Sequence, residues 1–399
     1  MKDIKSTIKK NKIIFNMCSW IKTYINFWYY TIFMYIFRVF PIKNNRILFV
    51  SYYGKGYGDN AKYISNELLK EKDKYQIIWC TKKIYKDSLP EGTKYVRYKS
   101  LKYLYYLSTA KIWINNTRFE YGIKKRKKQY YIQTWHSSLR LKLIEKDAEK
   151  YLKQQYIKTA KNDSKLCDVI ISGCRFSTNI YKNSFWYNGE IFETGTPRCD
   201  LFFKKNDNIL NKVYDYYGIS RDYKIILYAP TFRKDNINCN CFFNYSKFIE
   251  RLNGTNNKYV LLVRFHPNSN ADIQNTKFVY NATSYPDMQE LIFVSDFLIT
   301  DYSGCCFDAM IAKKPCVLYV QDIEEYLKKE RNLYFDFEEL PFKKIKDEEV
   351  LSQELINFDY EDYYNNIRTF NEKILNKENG TAAKLIVERI NKVIKNEKI

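Results

Sequence analysis

"DFLITDYSGCCFDAMIAKKPCVLYV", residues Asp296 to Val320, decides the fold. "FLIT" is a short apolar run ending at Thr300, and a polar turn follows it. "CCFDAMIAKK" then reads as a helix that begins near Ser303 or Gly304, and "PCVLYV" is a second apolar, β-branched run. Strand, helix and strand within 25 residues predict a parallel βαβ crossover.

The same rhythm extends outward. "KIILYAP", "YVLLVRFHP" and "KFVYN" precede this unit, and a polar, tyrosine-rich passage at 204–223 precedes them. Upstream of that passage lie "RILFVSYYG", "YQIIWC", "KIWINN", "QYYIQTWH" and "CDVIISG", each apolar and bounded by polar turns. Alternation of this kind predicts an α/β protein with two Rossmann-like, doubly wound domains facing a cleft. The expected division is 46–215 for the first domain and 216–399 for the second, which ends in a helical tail after Leu351. A basic, aromatic segment at 1–45 precedes both.

A chain of 399 residues with 45% hydrophobic content is long enough for two cores and too apolar for disorder. Its formal charge of +22 attracts polyanions: phosphorylated substrates, anionic lipid or nucleic acid. No zinc-finger spacing, basic heptad or RNA-binding aromatic signature is present, which argues against nucleic acid. Ten cysteines without a CxxC pair, and only two histidines, argue for a reducing compartment and against a structural metal. The amino terminus lacks a small-residue cleavage site and does not read as a secretory signal.

From Thr23 to Phe37 the sequence "TYINFWYYTIFMYIF" carries no charge, and nine Lys or Arg surround it within residues 1–46. As a helix this run reaches roughly 22 Å, short of the roughly 30 Å hydrocarbon core. Tyr and Trp favour the headgroup boundary, so an interfacial helix on an anionic membrane is expected rather than a span. A helix docked on the rest of the protein is compatible with this. The basic run Lys124 to Lys128 reads as a solvated loop that could also face lipid.

In a doubly wound fold the residues just beyond the strands face the cleft. Both histidines fall there, His136 after "YYIQTW" and His266 after "VRF". Arg264 and His266 share one face if the strand persists, and together they suit a pyrophosphate. Free N–H groups at the helix start by Ser303 and Gly304 attract phosphate, although the serine can equally be an ordinary cap. Thr231, Arg233, Arg198, Asp301 and Arg331 complete a set of donor-phosphate or nucleotide candidates. Ser137, Ser138, Arg140, Lys142 and Asp147 form the corresponding set around His136. Asp301 and Asp308 also read as residues that orient turn and helix.

Together, "QTWHSSLRLK", "GTPRCDLFF", "ILYAPTFR", "RFHP", "ITDYSGCCFDAMIAKKP" and "RNLYFDFEELP" resemble, in order, the CDP-glycerol glycerophosphotransferase family, which builds teichoic acids and capsule-type polymers. The resemblance implies a GT-B-like fold, an acceptor-binding first domain and a CDP-alcohol-binding second domain. It implies transfer of a polyol phosphate to a hydroxyl of a lipid-linked glycan or polyol-phosphate acceptor, with release of CMP and no cofactor. It places the motif histidines on His136 and His266 and the phosphate-binding serine on Ser303; by its place in the acceptor-side domain His136 is the expected base, and which of the two histidines acts as the base stays open. The expected location is peripheral, on the cytoplasmic face of the bacterial cell membrane. Glycerol or ribitol as polyol, and primase or polymerase as mode, stay open. So do two other readings: a glycosyltransferase using a nucleotide sugar on the same fold, and a non-catalytic module for membrane or polyanion.

Overall fold

The computed structural model describes residues 12–71, 73–231, 244–254, 257–266, 273–329 and 332–397. Arg233 and Arg331 lie outside them.

The chain forms two parallel sheets. The first comprises β1 (Lys43–Val50), β2 (Gln76–Thr81), β3 (Thr93–Arg97), β4 (Ala110–Asn115), β5 (Tyr130–Gln133), β6 (Val169–Ser172) and β7 (Glu190–Glu193), in the order β3-β2-β1-β4-β5-β6-β7. The second comprises β8 (Lys224–Ala229), β9 (Tyr259–Val263), β10 (Val279–Asn281), β11 (Phe297–Thr300), β12 (Cys316–Tyr319) and β13 (Lys343–Ile345), in the order β10-β9-β8-β11-β12-β13. In each sheet the strand order reverses at one point, between β1 and β4 and between β8 and β11. The loops leaving those strands open a crevice at each switch.

The strands are apolar on both faces because helices cover both. On β1, Leu48 and Val50 point to a core shared with Tyr103, Leu104 and Leu107, whereas Ile47 and Phe49 point to a core shared with Ala61, Ile64 and Leu68. Three strands escape the sequence reading: "TKYVR", "EIFE" and "KKI". All three are sheet edges. An edge strand is half solvated and carries charges that blunt further pairing, so it lacks the apolar run that marks a central strand.

The expected tail of the second domain divides between the sheets. The helix Tyr360–Ile374 packs in the second core, but the terminal helix Ala382–Lys395 crosses back and buries Ile386, Val387, Ile390 and Val393 against the first sheet. The division at residue 216 therefore leaves out this return. Its alternating apolar face is legible in sequence, but which sheet it covers is not.

The amino-terminal helix, Lys12–Ile36, is longer than its charge-free stretch. Tyr30 and Met34 are buried on the helix Leu101–Thr109 side, and the Thr31 hydroxyl donates to the Gly122 carbonyl at 3.1 Å. Gly122 has φ +106, and a Cβ there would stand 2.5 Å from the Phe27 carbonyl oxygen, so only glycine permits this close approach. The opposite face leaves Trp20, Tyr24, Ile25, Trp28, Ile32 and Tyr35 exposed. Among the described residues no helix is long and apolar enough to cross a membrane.

Candidate functional site

The two switch points meet. The loop after β1 turns through three consecutive left-handed residues, Tyr52, Tyr53 and Gly54, and Asp59 and Trp135 are also left-handed. Non-glycine residues in this region are strained and need local over-determination. Here the Tyr52 N–H donates to Asn116 Oδ1 at 2.8 Å, and the Tyr52 hydroxyl donates to Asp59 Oδ2 at 2.6 Å. The strain brings the Tyr52 ring edge-on to His136, with centroids 5.7 Å apart.

His136 follows the end of β5 and its Nδ1 lies 2.8 Å from the Asn116 carbonyl oxygen. A carbonyl only accepts, so Nδ1 carries the proton and, in the neutral ring, Nε2 carries the lone pair. Burial and the neighbouring Arg140 push its pKa down to about 3, against the opposing pull of the Asn116 carbonyl and Asp59. The imidazole is therefore neutral at neutral pH, with Nε2 ready to accept a proton.

Across the crevice, His266 is exposed just beyond β9. Its pKa is lowered by partial burial, then by Lys55, Lys142 and Arg264. Lys55 and Lys142 belong to loops of the first sheet, and Arg264 and His266 to the second, so the cleft collects positive charge from both sides. Arg264 donates through Nη1 to the carbonyls of Ala282 and Tyr285, at 3.0 and 2.5 Å, which ties the loop beyond β10 to the site.

The helix Cys305–Ile311 is capped by Gly304, with no side-chain bond from the cap residue. The Ser303 hydroxyl accepts from the Cys305 N–H at a long 3.4 Å, and accepting leaves its own O–H to donate. A Cβ on Gly304 would lie 3.5 Å from the Leu139 carbonyl oxygen, so this helix start faces the His136 segment directly. Asp301 accepts from the N–H groups of Thr231 and Tyr302, at 2.8 and 2.7 Å. It fixes the ends of β8 and β11 and has an orienting role.

Arg198 is not an open anion site. It is buried, and its Nη1 donates to Asp59 Oδ2 at 2.9 Å while its Nη2 donates to Asp308 Oδ2 at 2.7 Å and Oδ1 at 3.0 Å. A fourth bond reaches the His136 carbonyl at 3.1 Å. Burial pushes Asp59 up, but Arg198, the Tyr52 hydroxyl and the Asn60 N–H outweigh it and hold the carboxyl below its ordinary value. Arg198 thus joins the first-sheet loop to the helix Cys305–Ile311. Ser138 serves the same junction, because its hydroxyl donates to Asp308 Oδ1 at 2.9 Å rather than facing the cleft. Asp147 accepts from the Ser184 hydroxyl and, at 2.7 Å, from the Tyr334 hydroxyl. Beside it, Lys142 and Leu333 form an isolated antiparallel bridge. Asp147 is a fastening between the two sheets' loops.

Ser137 and Arg140 differ from these. The Ser137 hydroxyl, and Nε and Nη2 of Arg140, are buried with no hydrogen-bond partner. The Lys142 ammonium lies 5.1 Å from the Tyr326 ring centre, at the mouth of the cleft. Lys55 and Asp59 fall in the strand-end stretch 54–60, which the sequence reads as a turn with possible acceptor contacts, whereas Asn116 escapes the sequence reading. Asn116 also lies just beyond a strand, where the strand-end rule applies, but it contributes through its backbone carbonyl, which residue type does not reveal.

Residues 32–392 match the sequence model of the CDP-Glycerol:Poly(glycerophosphate) glycerophosphotransferase family. The chain is 33% identical over 376 residues to the teichoic acid poly(glycerol phosphate) polymerase of Bacillus spizizenii, covering 90% of this chain and 95% of that protein. It is 33% identical over 386 residues to the teichoic acid glycerol-phosphate transferase of Staphylococcus aureus, covering 93% of this chain and 98% of that one. It spans 50% of the longer Bacillus subtilis poly(glycerol phosphate) polymerase, at 31% identity over 91% of this chain. The solved structure of the wall teichoic acid polymerase TagF superposes with a TM-score of 0.82, at 28% identity, over 94% of this chain and 98% of that one.

Proposed function

As the chain belongs to the CDP-glycerol:poly(glycerophosphate) glycerophosphotransferase family, we propose that it transfers glycerol phosphate from CDP-glycerol to an acceptor hydroxyl and releases CMP, in teichoic acid synthesis. The acceptor is a membrane-linked glycan or polyol-phosphate chain. The single observation that carries this reading is the neutral His136, held through Nδ1 by the Asn116 carbonyl, at the edge of a cleft lined with cations from both sheets.

The chemistry follows from that arrangement. The acceptor hydroxyl gives its proton to His136 Nε2 while its oxygen attacks the donor's β-phosphorus. The bond from that phosphorus to the bridging oxygen breaks, and CMP leaves with the oxygen. General-base help of this kind contributes about 10²–10⁴-fold. Charge on the pyrophosphate and the departing CMP is met by His266, Lys55, Lys142, Arg264 and the Ser303 hydroxyl at the helix start, which act through preorganised electrostatics.

The exposed aromatic face of the amino-terminal helix supports a peripheral position at the cytoplasmic membrane surface. One face is anchored by Tyr30 and Met34, and the other presents Trp20, Tyr24, Trp28 and Ile32 as an apolar stripe of the kind that enters the headgroup layer. Partial immersion there brings the cleft within reach of a lipid-linked acceptor.

The test is to incubate the purified protein with CDP-glycerol, CDP-ribitol and several UDP-sugars, with and without lipid-linked acceptors, and to measure released nucleotide by mass spectrometry. CMP from CDP-glycerol is the expected outcome. UDP from a sugar donor, with no CMP from either CDP-alcohol, would refute the reading. His136→Ala and His266→Ala should each lower turnover by at least about 100-fold with the fold intact.

A further inference from the structure

The segment Trp135 to Arg140 holds four buried polar atoms without a partner: the Trp135 indole nitrogen, the Ser137 hydroxyl, and Nε and Nη2 of Arg140. Trp135 and Ser137 are 4% and 5% exposed. All four can donate, and one group is a full cation. Among the described residues half-buried Arg140 forms no salt bridge, whereas the buried guanidinium groups of Arg118 and Arg198 are each held between two carboxylates. The nearby carboxylate, Asp59, is already occupied by Arg198 and the Tyr52 hydroxyl. A half-buried cation with two buried, unpartnered nitrogens, beside further donors without acceptors, is complementary to an anion.

We infer that Ser137 and Arg140, with the Trp135 N–H, form a subsite for a phosphate of the acceptor, the phosphodiester adjoining its reacting hydroxyl, so that the favoured acceptor already ends in a polyol phosphate unit. This rests on His136 being the base. The Arg140 guanidinium stands 5.5 Å from the Trp135 ring centre, and that ring lies 4.4 Å from the His136 ring. In a chain ending in glycerol phosphate, the reacting hydroxyl and the phosphate belong to the same small polyol, so base and anion subsite must be neighbours, as they are here. The cations for the nucleotide's pyrophosphate form a separate group around His266.

The subsite also gives the base a way to be switched on. The groups facing His136 are Arg140 and Arg198, which lower its basicity, and Asp59 and the Asn116 carbonyl, which raise it. An anion on Arg140 cancels the larger of the two cationic effects, so the acceptor's phosphate raises the proton affinity of Nε2 at the moment a hydroxyl arrives.

The full-length protein is assayed with CDP-glycerol and two soluble acceptors, one glycan analogue ending in glycerol phosphate and the same glycan without it. Wild type should favour the phosphorylated acceptor in kcat/KM, and Arg140→Gln should shrink that preference by roughly 10- to 100-fold, with the KM for CDP-glycerol little changed. An unchanged preference, or a raised KM for CDP-glycerol with the preference intact, overturns the subsite; the latter would give these donors to the nucleotide's phosphate. A second measurement is independent of turnover. Glycerol 3-phosphate should raise the Tm of wild type and of His266→Ala but not of Arg140→Gln, and ligand-free Arg140→Gln should melt no lower than wild type. A clear drop in its ligand-free Tm would make Arg140 a structural residue and overturn the inference. If wild type releases no CMP with either acceptor, the catalytic reading fails, and the melting experiment still decides the subsite.

Discussion

Replacing Arg198 with methionine separates two roles for this residue. As an anion ligand it would affect donor binding and leave stability alone; as a clamp it should do the reverse. The substitution keeps most of the side-chain volume but leaves the Asp59 and Asp308 carboxylates, 5% and 1% exposed, without their shared cation. Removing one partner of a buried pair costs about 3–5 kcal/mol. The total should stay near 5 kcal/mol, because Asp59 keeps the Tyr52 hydroxyl and the Asn60 N–H, and Asp308 keeps Ser138 and Gln289. An unfolding entropy of about 2.1 cal/mol/K per residue gives roughly 0.8 kcal/mol/K for a chain of this length, so Tm should fall by about 6 °C if the two halves melt together. Calorimetry measures this directly. A second cycle, adding Asp308→Asn, should recover part of the loss, since it removes one stranded charge. A Tm within 1 °C of wild type, accompanied by a tenfold rise in the KM for CDP-glycerol, would refute the clamp and return Arg198 to the phosphate site.

Other outcomes follow from the same geometry. His136 titrates near 3 in the folded chain and near 6.5 when unfolded, so the unfolded state binds the extra proton between these values. Stability present above pH 6.5 is thus lost as pH falls toward 3, and His136→Asn should flatten the melting profile across that window; an unaltered profile would contradict the neutral imidazole. Burial, with Asp200 and Asp308 nearby, pushes Glu378 up to about 8 although Thr196 donates to it. Its folded form keeps a proton that the unfolded form releases near 4.5, so stability present below 4.5 declines as pH rises toward 8. Glu378→Gln should therefore melt higher than wild type at pH 8, and a lower Tm there would count against the assignment. Trp28→Asp with Ile32→Asp, both on the exposed face of the amino-terminal helix, should reduce co-sedimentation with anionic vesicles several-fold, while equal binding would remove that face from the membrane.

Some residues act here through their own side-chain type and others through position. The central strands were legible because burial on both faces demands an unbroken apolar run, as in "RILFV" and "FLIT". Edge strands such as "EIFE" were not, since a half-solvated strand obeys no such demand. Arg198 and Ser138 read as cleft residues because each follows a strand, but their side chains turn into a junction that exists only when the helix Cys305–Ile311 is docked beside Asp59.

The sequence by itself determined the two βαβ series, the family, and the placing of both histidines beyond strand ends, because strand periodicity and motif order are local properties of the chain. Only the tertiary structure decided the tautomer of His136, the pairing of Arg198 with two carboxylates, the return of the last helix to the first sheet and the lack of a hydrogen-bond partner at Nε and Nη2 of Arg140. Those depend on contacts between residues up to several hundred positions apart, and on burial, which sets the cost of a charge and which no residue carries in its own name.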